Sequence, residues 1–364
     1  MLLLSFCLLV SQAQQAQAWI SPPNARGGCC LTCRVSRLAA AAGSGSDRWC
    51  NHELRNVVTT EWLQEHMFDA ELAIVDIRGA VKKGQEPGSD FVSTVYEGLH
   101  EDYLELHIPN AVFADWTKDI AGRDANGVPA QLSDREAFAE AMEARGIGRG
   151  RRVVAYDNGN MLFATRLWWA LRRYGFPEAD ISVLDGGWAK WVAEDRPVTD
   201  EVACPLKLLG EWGIEPEAEQ PWLRLTAEQL QARLLERPQL HLIDARAAEQ
   251  YTGEVRRAQR GGHIPGALNT PYKAFLQGGQ GPYKTLKPLA GLREVLQSAG
   301  VDTSQPAAAY CNGGVASTVA MFALYQLGNA RVTNYDGSWN EWGNREDLPA
   351  ETTSLEQHQA TNAK

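Results

Sequence analysis

The stretch Ala309-Tyr310-Cys311-Asn312-Gly313 repeats Ala155-Tyr156-Asp157-Asn158-Gly159 at a distance of 154 residues. Outward from this pair, three further landmarks occur twice in the same order. Val75-Asp76-Ile77-Arg78 is echoed by Ile243-Asp244-Ala245-Arg246, and His107-Ile108-Pro109-Asn110-Ala111 by His263-Ile264-Pro265-Gly266-Ala267. Asp185-Gly186-Gly187-Trp188 with Trp191 returns as Asp336-Gly337-Ser338-Trp339 with Trp342. In chain order the separations are 168, 156, 154 and 151 residues, a gradual shrinkage that places longer early loops in the first copy. Self-similarity of this kind marks a duplicated domain.

Within each copy, short β-rich runs alternate with helical stretches. Leu72–Asp76 and Arg152–Tyr156 read as buried strands in the first, His241–Asp244 and Ala307–Tyr310 in the second. Between them a helix is expected from an N-cap Ser133 to a stop at Gly146, and its counterpart from Leu289 to Ala299 before Gly300. This alternation predicts an α/β fold of two tandem domains, each a mainly parallel sheet flanked by helices on both faces. Ligands of such sheets bind where strands end and helices begin. The expected layout is an extension over 1–52, a first domain over 53–200 and a linker over 201–222. A second domain follows over 223–350, and a loose polar tail over 351–364. The linker region, with four prolines from Pro197 to Pro221 and little periodicity, is expected to run over the surface.

With 44% hydrophobic and 22% charged residues in 364, each half can bury a core of its own. The net charge of −10 argues against nucleic acid or an anionic membrane as partner, and obliges any anionic ligand to find a local positive site. No run of 18 apolar residues follows the first few dozen positions, so no membrane span is expected in the mature form. Of seven cysteines, Cys7, Cys29, Cys30, Cys33 and Cys50 crowd the N-terminus, leaving Cys204 and Cys311 for the body. Two such residues make no disulfide framework and suit a reducing compartment.

Cys311 ends a small apolar strand and leads through Asn312-Gly313-Gly314 into a helix expected over Val315–Leu327. Val315, Val319, Phe322 and Gln326 share one face of that helix. A helix N-terminus offers free N–H groups and the positive end of the dipole, which favour a nucleophilic thiolate near neutral pH. The glycines let successive N–H groups curl into a nest for anionic oxygen or sulfur. For a single cysteine the bland alternative is a buried structural thiol; the strand, Gly-Gly turn and helix favour function. Asp157 holds the same turn in the first copy, where a carboxylate cannot be a sulfur nucleophile. The chemistry is therefore expected in the second domain, with the first in support.

These motifs, twice and in this order, resemble the tandem rhodanese family over roughly residues 53 to 350. The resemblance implies an inactive N-terminal domain, an active C-terminal domain and a site near their interface. It implies a sulfurtransferase in which Cys311 is the catalytic nucleophile and carries sulfur as a persulfide. The family's active loop would run from Cys311 to Ala316. Related phosphatases have one residue more and close the loop with Arg; Ser317 stands there instead, which argues against phosphate hydrolysis. The N–H groups of Asn312, Gly313, Gly314, Val315, Ala316 and Ser317 would hold the persulfide.

The family's animal thiosulfate enzymes carry Arg and Lys directly after the cysteine, and its mercaptopyruvate enzymes Gly-Ser-Gly; Asn312-Gly313 fits neither. Gln250 stands where both animal groups place a substrate-binding Arg. Arg256, Arg257 and Arg260 lie just beyond, and Arg257 and Arg260 are the candidates for the missing charge. The stretch Phe113-Ala-Asp-Trp116-Thr-Lys-Asp119 looks like bacterial thiosulfate-type sequences, so thiosulfate is the expected donor. Mercaptopyruvate on the same Cys311 is the alternative, and a low-turnover sulfur-carrier or sensing module is a third reading. The expected partners are a small anionic sulfur donor and an acceptor that is cyanide, a small thiol or a thioredoxin-like dithiol. The resemblance implies no metal or organic cofactor. Asp76 with Arg78 and Asp244 with Arg246 read as structural ion pairs, His107 and His263 as turn residues, and Trp339 and Trp342 as core anchors.

The extension reads as an address. Met1–Val10 is an apolar signal-like core, and Ala16-Gln17-Ala18 gives a small-x-small cleavage pattern before Trp19. From Trp19 to Ser46 there is no Asp or Glu, while Arg26, Arg34 and Arg37 are present, as in transit peptides. The order resembles the bipartite plastid presequences of algae with secondary plastids, whose usual Phe is here Trp19. A plastid is the favoured destination, with mitochondrion or secretion as alternatives. Cys29, Cys30, Cys33, Cys50 and His52 fall in this segment, where a metal site is not expected.

Overall fold

The alternation of apolar runs and helices is realised as two five-stranded parallel sheets in a computed structural model of the chain. The structure describes residues 54–84, 92–203, 212–236, 240–278, 281 and 283–354. The address segment, its cysteines and His52, Cys204 and the last ten residues lie outside the described residues.

In the first domain the sheet is built from β1 (Val57–Val58), β2 (Leu72–Asp76), β3 (Ala111–Phe113), β4 (Arg152–Tyr156) and β5 (Ile181–Leu184), in spatial order β1-β5-β4-β2-β3. Its helices are α1 (Thr60–His66), α2 (His100–Glu105), α3 (Arg135–Glu143), α4 (Leu162–Arg173) and α5 (Gly187–Ala193). The second domain repeats that order with β6 (Arg224–Leu225), β7 (His241–Asp244), β8 (Leu268–Asn269), β9 (Ala307–Tyr310) and β10 (Val332–Tyr335), arranged β6-β10-β9-β7-β8. Its helices are α6 (Ala227–Glu236), α7 (Ala248–Thr252), α8 (Leu289–Ser298), α9 (Ala316–Gln326) and α10 (Ser338–Trp342). Every pairing within both sheets is parallel. The four strands read from the sequence fall on β2, β4, β7 and β9 with the expected ends. β9 reads Ala-Ala-Ala-Tyr, a poor strand former by propensity, and full burial on both faces overrides that preference.

The cap of α3 differs from expectation. Asp134 is the N-cap, accepting from the Ala137 N–H at 2.8 Å, while the Ser133 hydroxyl donates to the Ile120 carbonyl. Two adjacent cap-competent residues compete for one role, and the longer carboxylate takes it. Gly146 ends the helix in the left-handed region at φ +68°, as Gly300 does for α8 at +78°.

The paired motifs brace the two sheets in the same way. Arg78 Nε donates to both oxygens of Asp76, and Tyr156 donates to that carboxylate at 2.7 Å. Arg246, Asp244 and Tyr310 repeat the arrangement. His107 and His263 are buried, each with Nδ1 on a backbone carbonyl. Each also anchors the end of its own domain, through antiparallel bridges to Thr199 and Glu351. The tail is therefore tied at its first residue. The linker too is anchored: Trp212 is buried against Phe138 and Phe176, and Glu219 pairs with Arg135 and Arg173. Apolar and charged side chains inside a proline-rich run hold it down despite its lack of periodicity.

Candidate active site

The domains meet through α4 and α9, the helices that follow the two repeated turns. The single apolar face expected for α9 is replaced by burial around its circumference, from Ser317 to Gln326. One side lies on its own sheet and another on α4; a helix apolar all round is a core helix. Trp168 meets Phe322 edge-on at 4.9 Å, and the Thr165 and Thr318 hydroxyls are 2.8 Å apart. Arg172 stacks its guanidinium on Trp168 and Tyr325.

Cys311 lies at the end of β9, 3% exposed, in the five residues that join the strand to α9. Among the described residues it is the free cysteine. The joining segment of the first domain, Asp157 to Met161, has the same length, and its content is informative. Asp157 Oδ1 accepts from the N–H groups of Gly159, Asn160 and Met161 at 2.9–3.2 Å. Its Oδ2 accepts from Phe163 and Ala164 at 3.0 and 3.3 Å. The turn thus surrounds a built-in anion with five backbone donors. Burial pushes the Asp157 carboxyl up from its ordinary range, and these N–H groups oppose it.

Around Cys311 the frame is similar but not identical. The carbonyls of Asp157 and Cys311 accept equivalently, from Trp188 and Trp339. Gly187 and Ser338, equivalent in sequence, share φ +52°. The positive φ values within the turns differ: Gly159 and Met161 in the first, Gly314 at +71° in the second. The Ser338 hydroxyl accepts from the N–H groups of Cys311 at 3.1 Å and Gly314 at 3.0 Å, and donates to the Tyr335 carbonyl. Gly314 is thereby removed from the expected ring of donors, because its N–H already has a partner. The Ser317 hydroxyl is committed to Asn334, and Val315 is core packing.

The first domain fixes the loop from outside. Arg166, fully buried, donates to the Gly314 carbonyl at 2.9 Å and pairs with Asp336 at 2.6 Å. Asn334 donates to the same carbonyl. A Cβ on Gly314 would stand 2.6 Å from Asp336 Oδ1, so only glycine fits this turn. Gln250, placed where relatives of the family would carry Arg, accepts from Asn312 Nδ2 at 2.9 Å. Tyr272 feels both Asp157 and Cys311; burial first, then these two, raises its hydroxyl to about 12.

The two candidate arginines part company. Arg260 donates to the carbonyls of Trp342, Arg345 and Leu348 and so pins the chain after α10; the structure corrects its reading as a substrate ligand. Arg257 lines a cleft of about 660 Å³ with Ser93, Thr94, Pro129 and Asn340. Its one hydrogen bond among the described residues is a long 3.4 Å contact to the Ser93 carbonyl, and no described carboxylate pairs with it. Sequence reading missed Tyr96, on the hairpin of Gly79–Gly84 and Ser93–Gly98. A Cβ on Gly313 would come within 2.5 Å of the Tyr96 hydroxyl, so that hydroxyl roofs the cysteine loop. Burial, then Cys311, holds Tyr96 above the ordinary tyrosine range. No motif surrounds Tyr96; only its place on an insertion absent from the second copy sets it apart. No described helix is long and apolar enough to cross a membrane.

Comparison with known proteins adds the family. The rhodanese-like domain matches twice, over residues 59–194 and 226–345. The chain is 35% identical over 299 residues to the 3-mercaptopyruvate sulfurtransferase of Escherichia coli K12, covering 81% of this chain and 97% of that protein. It is 31% identical to the thiosulfate sulfurtransferase of Mus musculus, covering 82% and 94%. The crystal structure of the 3-mercaptopyruvate sulfotransferase SseA from Escherichia coli superposes with a TM-score of 0.62 at 31% identity, covering 78% of this chain and 99% of that one.

Proposed function

The chain belongs to the tandem rhodanese sulfurtransferase family, and from that premise we propose that Cys311 is the atom through which it passes sulfur. The observation that carries this reading is the pair of turns. The first domain shows, with Asp157, that the turn can surround an anion with five N–H donors. In the second domain a thiol takes that place, and Ser338, Arg166 and Asn334 hold the turn in shape.

The Cys311 thiolate attacks the outer sulfur of thiosulfate, and the S–S bond breaks with its electron pair leaving on sulfite. The Cys311 persulfide anion lies among N–H groups of Asn312, Gly313, Val315, Ala316 and Ser317. An acceptor then attacks the outer persulfide sulfur and restores the thiolate: cyanide leaves as thiocyanate, a thiol as its persulfide. This is ping-pong nucleophilic catalysis. Arg257 supplies positive charge against the −10 background. The second reading, mercaptopyruvate as donor on the same cysteine, is favoured by the 35% identity to an enzyme of that name. Comparing kcat/KM for the two donors separates them: a higher value for mercaptopyruvate would replace thiosulfate. Loss of transfer in Cys311→Ser is expected for both, and retained transfer would contradict the role of Cys311. Residues 1–52 we assign to targeting, with a plastid as destination; the imaged location of a tagged full-length chain tests that.

A further inference from the structure

The cleft lined by Arg257 contains polar atoms that the fold itself leaves unused. Thr94 Oγ1 is buried near the Tyr96 hydroxyl with no hydrogen bond of ordinary length, and Arg257 Nε is buried without a partner among the described residues. The Tyr96 hydroxyl accepts from Asn340 Nδ2 at 3.0 Å, which leaves its own proton to be donated. Thr94, Arg257 and Asn340 line one cleft, with Glu341, which Arg345 pairs, at its wall; Asn340 links the cleft to the Tyr96 hydroxyl over Gly313. The other cations there are engaged: Arg123 donates to Gly127, and Arg345 pairs with Glu228, Asp347 and Glu341. Two hydroxyl donors and a guanidinium that no described carboxylate pairs, gathered at one cleft, are the complement of an oxyanion. Buried polar groups in native proteins otherwise find partners, and charge-assisted hydrogen bonds are the strong ones.

We propose that Thr94, Tyr96 and Arg257 form a head-group site for an oxyanion, the sulfonate or carboxylate end of the sulfur donor, supplied largely by the hairpin of the otherwise inactive first domain. The inference rests on sulfur transfer at Cys311 and adds a division of labour to it. The second domain provides the nucleophile, and the first selects donors by their charged end.

Thr94→Val, Tyr96→Phe and Arg257→Gln in the full chain test it with two reagents of similar size. Iodoacetate is an anion and iodoacetamide is neutral, and both alkylate the Cys311 thiolate. Arg257→Gln should slow iodoacetate by about tenfold, and each hydroxyl variant by about threefold, with iodoacetamide rates changed less than about twofold. Equal effects on both reagents, or none on either, would overturn the site. In parallel, persulfide formation from thiosulfate and from 3-mercaptopyruvate is followed in each variant. The donor whose transfer falls with the iodoacetate rate is the one whose head group the site holds, and a fall for neither overturns it as a donor site. If wild type takes sulfur from neither donor yet keeps its charge-dependent alkylation, the anion site stands and the sulfurtransferase reading fails.

Discussion

Asp157 and Cys311 occupy the same place in two copies of one turn, and the difference between them is the difference between a filled and a working site. The Asp157 carboxylate satisfies five backbone donors inside the first domain. Removing it leaves those N–H groups buried without partners, a cost of roughly 2–3 kcal/mol. Asp157→Ala should therefore lower thermal stability by that amount and leave Cys311 chemistry in the folded fraction intact. Calorimetry with activity per folded molecule checks both halves. At this scale Cys311 was legible, because a strand, two glycines and a helix are contiguous in sequence. Ser338, Arg166 and Tyr96 were not. Ser338 lay inside a recognised Asp-Gly-Ser-Trp motif, but its bonds to Cys311 and Gly314 depend on a φ of +52° that no local pattern announces. Arg260 misled because it lies just beyond Gln250, where a substrate-binding arginine is missing, while its three carbonyl partners come from a turn 82 to 88 residues away.

At the scale of elements, the helices α4 and α9 decide how the site is held. Trp168, Phe322 and Tyr325 make their contact aromatic, and Arg166 reaches through it to Gly314 and Asp336. Breaking a buried pair from one side leaves an uncompensated charge and costs about 3–5 kcal/mol. Here Arg224 also contacts Asp336 at 2.9 Å, which softens the loss. Arg166→Met should destabilise the chain by about 3 kcal/mol. It should also slow persulfide formation in the folded fraction, because the Gly314 carbonyl loses one of its two donors. Denaturant melts with single-turnover rates measure the two effects, and an unchanged rate would remove Arg166 from any positioning role. The sequence showed that α9 exists and where it begins. It did not show the helix buried on every side, since the second layer covering it comes from the other domain.

For the whole molecule, the duplication produces contacts that are symmetric in position but not in charge. Asp336 accepts from Leu132 N–H across the interface and is neutralised by Arg166 and Arg224. Its counterpart Asp185 accepts from Leu286 N–H and pairs with no arginine among the described residues; burial raises it to about 6 against the Leu286 bond and the field of Lys190. A carboxyl raised in the folded state binds a proton there that the unfolded chain releases. Its contribution is present below pH ~4 and is lost as pH rises through ~6. Wild type should therefore lose on the order of 2 kcal/mol of stability between those limits relative to Asp185→Asn. Melting curves of the two proteins across that range test the sign; a difference independent of pH would contradict it. The tandem architecture was the most legible feature, because four motif pairs in one order leave few alternatives. The asymmetry was hidden, since the arginines that distinguish Asp336 from Asp185 lie far away in sequence. The proposed chemistry requires sulfur to rest covalently on one atom. Intact mass spectrometry of the protein, treated with thiosulfate and desalted, measures this directly. A gain of about 32 Da, one sulfur, in wild type and none in Cys311→Ser is the predicted result, and no gain in wild type, or the same gain in the variant, would contradict it.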